Sequence, residues 1–148
     1  METVPQNNPA FYQKLEIDIL ARTIWGEARG DGLLAMRKVG HVILNRAKIS
    51  EKHGRYWWGN NIIQICQKPY QFSVWNRSDP NFRKLQTVDE NTASFRAALR
   101  IARSLIYDDL PDLTDGATHY HKTSIAPYWA KNEQPVKTYK NHAFYRLV

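Results

Sequence analysis

A chain of 148 residues with 43% hydrophobic content is long enough for one globular domain and too apolar to be disordered. Its single cysteine, Cys66, excludes an intramolecular disulfide and a cysteine-based zinc cluster, and no apolar run approaches the roughly 18 residues that cross a bilayer. The 21 Lys and Arg against 14 Asp and Glu leave a charge of +7, which favours polyanionic surroundings: nucleic acid, anionic lipid or an anionic cell wall. Five Trp and eight Tyr add flat surfaces that stack on bases or on sugar rings, and composition does not choose between these.

Met1 to Ala10 is polar, holds two prolines and has no basic or apolar segment of the secretory kind. It reads as the core of a loose tail, residues 1–12, ahead of a single domain over 13–148. The periodicity predicts a first helix from about Tyr12 to Ala28. On it Leu20, Ile24 and Glu27 share one stripe at i, i+4 and i+7. The chain then breaks at Gly30-Asp31-Gly32, with Asp31 placed to cap the next helix. That second helix is expected from Leu33 to Ala47, carrying Met36, Val39, Gly40 and Ile43 inward. Gly40 allows another helix to approach closely, at about 1 kcal/mol of propensity against Ala.

Ile49 to Asn61 reads as an irregular loop or insertion. Ile62 to Gln67 gives one or two helical turns before Pro69, and Tyr70 to Trp75 a short strand or turn. Thr87 and Glu90 have the spacing of a capping box, which predicts a helix over Asp89 to Tyr107. Its expected buried face is Phe95, Ala98, Leu99, Ala102, Leu105 and Ile106. Asp108 to Gly116 is a loop. Ala117 to His121 and His142 to Leu147 alternate and can pair as two strands, with a turn at Ala126 to Ala130 between them. Helices first and a small β element last make an α+β domain in which helices dominate.

Glu27 is the first chemical candidate. A carboxyl held against Ile24 or Trp25 is costly to ionise, so its pKa rises and it can donate a proton near neutrality. Spacing alone leaves open the alternative that Glu27 turns outward and pairs with Arg22 or Arg29. Glycoside cleavage needs such an acid and usually a second carboxylate, for which Asp31, Glu90, Asp112 and Asp115 are available. Without a second one, attack by a substrate hydroxyl is expected. His119 and His121 share one strand face, and His142 could complete a three-histidine zinc site; rings hydrogen-bonded in a cleft wall are the alternative. Cys66 sits in an apolar run and reads as a buried hydrophobe.

Several separated motifs come in the order of one known family. They are Leu20-Ala-Arg-Thr-Ile-Trp-Gly-Glu-Ala-Arg-Gly-Asp31, Val39-Gly-His-Val-Ile-Leu-Asn-Arg46, Gln71-Phe-Ser73, Gly116-Ala-Thr-His-Tyr-His121, Pro127-Tyr-Trp129 and His142-Ala-Phe-Tyr145. The chain resembles the spore-cortex-lytic and cell-wall hydrolase family from about Leu15 to Tyr145. The resemblance implies a lysozyme-like fold and a catalytic glutamate at Glu27. It implies cleavage between N-acetylmuramic acid and N-acetylglucosamine by a lytic transglycosylase, with no metal or other cofactor. It places Gln71, Phe72, Ser73, Thr118, His119, Tyr120, Trp129 and His142 along a groove that binds glycan strands, and gives Asn45 and Arg46 a structural role. Asp31 stands where the family usually has Glu, and Lys140 where it often has Gly.

The expected partner is therefore the peptidoglycan glycan strand, met by a monomer, without nucleic acid or stable membrane insertion. Synthesis in the cytoplasm and release onto the wall, as in phage-type lysis, is the expected biology. The rival expectations are a zinc amidase or peptidase built on the three histidines, and a non-catalytic wall- or nucleic-acid-binding module.

Overall fold

The structure is a computed structural model that describes residues 9–148. Its elements run α1 (Pro9–Ala28), a 3-10 turn (Arg29–Asp31), α2 (Leu33–His53), α3 (Ile62–Gln67), a 3-10 turn (Ser73–Trp75), α4 (Phe82–Thr87), α5 (Ala93–Tyr107), β1 (His119–Lys122), a 3-10 turn (Tyr128–Ala130), β2 (Lys137–Tyr139) and β3 (His142–Tyr145). Of the expected tail, residues 1–8 lie outside the described residues, while 9–12 are already helical. Pro9 accounts for the early start: its fixed φ suits a first turn, where its missing N–H costs nothing.

The second half of α1 is the axis of the core. Ile19, Leu20, Ala21, Thr23, Ile24, Trp25 and Ala28 are all buried, which is more than one stripe of a helix. Helices α2, α3, α4 and α5 all pack against α1. Even the polar Thr23 is enclosed; its hydroxyl donates to the Ile19 carbonyl at 2.7 Å and accepts from the Trp75 indole at 2.9 Å. Helix α2 crosses α5 at Gly40, where a Cβ would collide with Leu105.

Several sequence expectations change. Helix α2 does not stop at Ala47 but continues to His53, because nothing breaks it before Gly54 at φ +80°. The segment after it is a packed structure: Trp58 is fully buried, and its indole donates to Ser50 Oγ at 2.8 Å and to the Arg46 carbonyl at 3.1 Å. The Thr87 to Glu90 box caps nothing. Thr87 ends the unforeseen helix α4, bonding back to Arg83, and Asp89 closes a local turn onto the Asn91 N–H, so α5 begins at Ala93. Asp31 does not cap α2 either; Gly32 occupies that position without any side-chain bond. Tyr70 to Trp75 is turn and 3-10 helix, not strand.

The two expected strands do pair. β1 and β3 are antiparallel, with His119 opposite Tyr145, Tyr120 opposite Phe144 and Lys122 opposite His142. A third strand, β2, extends the sheet in the order β1-β3-β2. Lys140 adopts φ +50° in the β2–β3 turn, so the hairpin forms without a glycine there, and its Nζ donates to the Asp31 carbonyl at 3.0 Å. The sheet rests on α2 through Val42, Ala117 and Phe144.

At Gly40 the steric term exceeds the propensity term. Overpacking a close helix crossing costs roughly 1–3 kcal/mol, more than the ~1 kcal/mol that Ala gains over Gly in an unhindered helix. Gly40→Ala is therefore expected to lower stability in urea unfolding, whereas an unobstructed helix would be stabilised by the same change.

Candidate active site

Glu27 lies in the last turn of α1, at the floor of a cleft of about 580 Å³ between the helical core and the sheet. The cleft is lined by Gln71, Phe72 and Ser73 on one side, by His119, Tyr120, His121 and Lys122 of β1, and by Trp57, Tyr70, Ile125 and Trp129 near its rim. A somewhat larger groove, about 660 Å³, lies between the start of α1 and α5 around Leu15, Phe95 and Leu99. Leu15 is twelve residues before Glu27, or about 18 Å along the helix, so that groove is separate from this chemistry.

The carboxyl of Glu27 has two donors. Tyr120 Oη donates to Oε1 at 2.5 Å, and the Val74 backbone N–H also bonds it. Burial pushes the Glu27 pKa up from 4.5, and Asp79 adds to the rise; the two hydrogen bonds and Lys122 oppose it without prevailing. Neither arginine of the alternative reading reaches it. Arg22 bonds Asp18 and the carbonyls of Leu85 and Val88, while Arg29 bonds the carbonyls of Trp25 and Gly26 and the Asn81 side chain. Tyr120 is itself partly buried, and both burial and the Glu27 charge hold its phenol well above pKa 10, so it stays a neutral donor.

Gly26 explains how Val74 gets so near. A Cβ at Gly26 would meet Val74 Cγ1 at 2.9 Å and Leu85 Cδ1 at 3.0 Å. The missing side chain lets the 73–75 turn lie directly on α1, beside the glutamate.

Arg46 supports the far wall. Its Nε donates to the Thr118 carbonyl at 2.7 Å and its Nη1 to Gln71 Oε1 at 3.2 Å, while the guanidinium lies over the Trp58 and Phe72 rings. Burial lowers its pKa to about 10, which still leaves it charged at neutral pH. His119 sits between the Trp58 and Trp129 rings. Burial, with Arg46 nearby, lowers its pKa to about 4, so the ring is neutral at neutral pH.

Six of the eight expected groove residues thus surround Glu27: Gln71, Phe72, Ser73, His119, Tyr120 and Trp129. Thr118 and His142 do not. Thr118 is fully buried, its hydroxyl shared with His119 Nδ1 at 2.8 Å and the Leu147 N–H at 3.1 Å. His142 is fully buried behind Tyr120, its ring against those of Tyr120 and Phe144 and its Nε2 3.9 Å from Asp31 Oδ2. The register sets it on the Tyr120 face of the sheet, away from His119 and His121, so the three histidines cannot converge on one ion. Among the described residues, no trio of His, Cys, Asp or Glu is arranged to hold a metal.

The other carboxylates offered as partners for Glu27 are engaged elsewhere. Asp31 accepts from Asn141, Asp112 from Thr114, Asn45 and the Gly116 N–H, and Asp115 lies 3.8 Å from Lys137. Glu90 borders the distant groove. Sequence reasoning did not single out Arg46, Trp57, Tyr70 or Lys122 as site residues. Two-residue alternation carried from Tyr120 would have found Lys122, and adjacency to Gln71 would have found Tyr70.

A carboxyl with a raised pKa on the floor of an aromatic-walled cleft is the arrangement of an enzyme site. The chain belongs to the cell wall hydrolase family, whose profile matches residues 30–145. That range opens three residues after Glu27, so the role of the glutamate rests on the geometry. No curated protein matches the chain. Among solved structures it is similar to the catalytic domain of the SleB protein of Bacillus cereus, at 21% identity over 90% of this chain and 91% of that one, with a TM-score of 0.65. It is also similar to the catalytic domain of the germination-specific lytic transglycosylase SleB of Bacillus anthracis, at 22% identity over 97% and 100%, with a TM-score of 0.66. The shared fold is lysozyme-like α+β.

The electrostatics of the floor have two consequences. Since folding raises the Glu27 pKa, its contribution to stability is fully present below the unfolded pKa and is lost as pH rises through the folded one. Glu27→Gln should therefore match wild type in acid and exceed its melting temperature at pH 8. Tyr120→Phe removes a bond that favours the charged form. The alkaline limb of the kcat/KM profile should move to higher pH, with roughly a tenfold loss at the optimum from poorer positioning of the acid.

Proposed function

We propose that this enzyme cleaves the bond between N-acetylmuramic acid and N-acetylglucosamine in peptidoglycan as a lytic transglycosylase, with Glu27 acting alone as acid and then base. One observation carries the reading: among the described residues lining the cleft, Glu27 is the only carboxylate. Hydrolysis with two carboxylates needs a second one facing the first, as nucleophile or as base for water. Here Glu27 gives its proton to the glycosidic oxygen as the bond to the anomeric carbon breaks. The carboxylate left behind takes the proton of the muramyl 6-hydroxyl, whose oxygen closes onto that carbon. The product is a 1,6-anhydro ring, and no water is consumed. The raised pKa suits the first half of this cycle, and the Tyr120 and Val74 donors suit the second, when the carboxylate is charged. A structural relative from Bacillus anthracis is a lytic transglycosylase, which supports the same chemistry.

The residues lining the cleft all come from one chain, which supports action as a monomer. The +7 charge suits an anionic wall layer, and we infer that the protein acts there after release from the cytoplasm, as a phage-type lysin does. No described helix is long and apolar enough to cross a membrane.

Glu27→Gln tests this directly. Lysis of purified walls should fall by about 10²–10⁴-fold with the fold retained. Mass spectrometry of the wild-type products should show muramyl ends one water lighter than hydrolysis gives, and a chelator should leave the rate unchanged. Reducing muramyl ends would overturn the internal-attack step, and zinc-restored activity would revive the amidase.

A further inference from the structure

Tyr70 stands where a tyrosine has no conformational reason to be. Gln71 N–H donates to the Lys68 carbonyl at 3.1 Å, closing a four-residue turn with Pro69 at its second position. Tyr70 is the third residue, with φ +64°. That is the pattern of a type II turn, in which the third position ordinarily falls to Gly or Asn, since a Cβ there crowds the backbone. Most other left-handed non-glycine residues, Asp109, Asp115 and Asn132, are short polar types that tolerate the region. Lys140 is held by its bond to the Asp31 carbonyl. Tyr70 shows no such compensation: its side chain is 86% exposed, and no hydrogen bond or ring contact ties it down among the described residues.

The position of that ring is not arbitrary. The turn is anchored on both sides, by helix α3 before it and by Gln71, gripped by Arg46, after it. The turn therefore presents the ring from a fixed base at the rim of the cleft that Glu27 floors, where Trp57 and Trp129 are also partly exposed at 55% and 36%. Backbone strain kept at a cleft mouth, with no return to the fold, points to a ligand.

We propose that Tyr70 is a sugar-stacking platform, its ring lying against the apolar face of a pyranose in the glycan strand that crosses Glu27. Its two flat faces offer dispersion and C–H contacts to the apolar side of a saccharide, and its phenol O–H can bond a sugar hydroxyl. Because the ring touches substrate away from the broken bond, it holds ground state and transition state alike, and its loss falls on KM rather than kcat. This inference rests on the glycan-cleaving reading of the same cleft.

The test uses binding of peptide-free glycan strands by calorimetry in a Glu27→Gln background, with thermal melting beside it. Tyr70→Gly should raise the melting temperature by about 2–4 °C through relief of strain, while weakening strand binding about tenfold. Tyr70→Ala should lose the same binding without the gain in melting temperature, since its Cβ keeps the strain. Tyr70→Trp should bind as the parent does. Unchanged binding by Tyr70→Gly would overturn the proposal, and so would a fall in its melting temperature, which would make the ring part of the fold. Failure of the Glu27→Gln parent to bind strands at all would strike the glycan reading itself.

Discussion

Enclosing the Glu27 carboxyl costs solvation free energy that two hydrogen bonds return only in part, and much of the molecule is arranged around that imbalance. Helix α1 is the axis on which the other helices pack, so a carboxylate in its last turn is surrounded by protein on most sides. Gly26, one residue earlier, admits the 73–75 turn to direct contact with the helix. The same close packing that excludes water brings the Val74 N–H to the carboxyl. The sheet supplies the second donor, Tyr120, from a strand whose opposite face carries His119 and His121. The carboxyl thus has two donors that steady its charged form, while its enclosure favours the neutral one.

Arg46 couples the remaining walls. One guanidinium joins α2 to the approach of β1 through Thr118, to the 71–73 segment through Gln71, and to the aromatic stack through Trp58 and Phe72. Burial, with this cation nearby, keeps the His119 ring neutral near neutral pH. The rim is left to the exposed aromatic rings of Trp57, Tyr70 and Trp129.

Much of this was legible in the sequence, for identifiable reasons. The stripe of Leu20, Ile24 and Glu27 set the carboxylate against the core, and the ordered motifs of the resemblance, rather than the spacing, singled it out as the candidate acid. The alternation around His119 and His142 revealed the β1–β3 pairing. What failed did so where local signals compete with tertiary ones. Asp31 had the chemistry of a helix cap, but its side chain is taken by Asn141 from a hairpin 110 residues away. Thr87 and Glu90 had the right spacing, but Thr87 already belonged to α4. Trp58 lay in a polar segment that looked open, and only folding back onto Ser50 and Arg46 buries it. His142 shared a motif with groove residues, yet strand register put its ring on the inner side of the sheet.

On the proposed mechanism, burial makes Glu27 a proton donor despite its two hydrogen bonds. The most direct measurement is an NMR titration of the Glu27 side-chain carboxyl carbon in the free enzyme. The account predicts a midpoint above the ordinary value of 4.5, with the Tyr120 resonances moving in step. A midpoint at or below 4.5 would mean that the hydrogen bonds outweigh desolvation, and would contradict it.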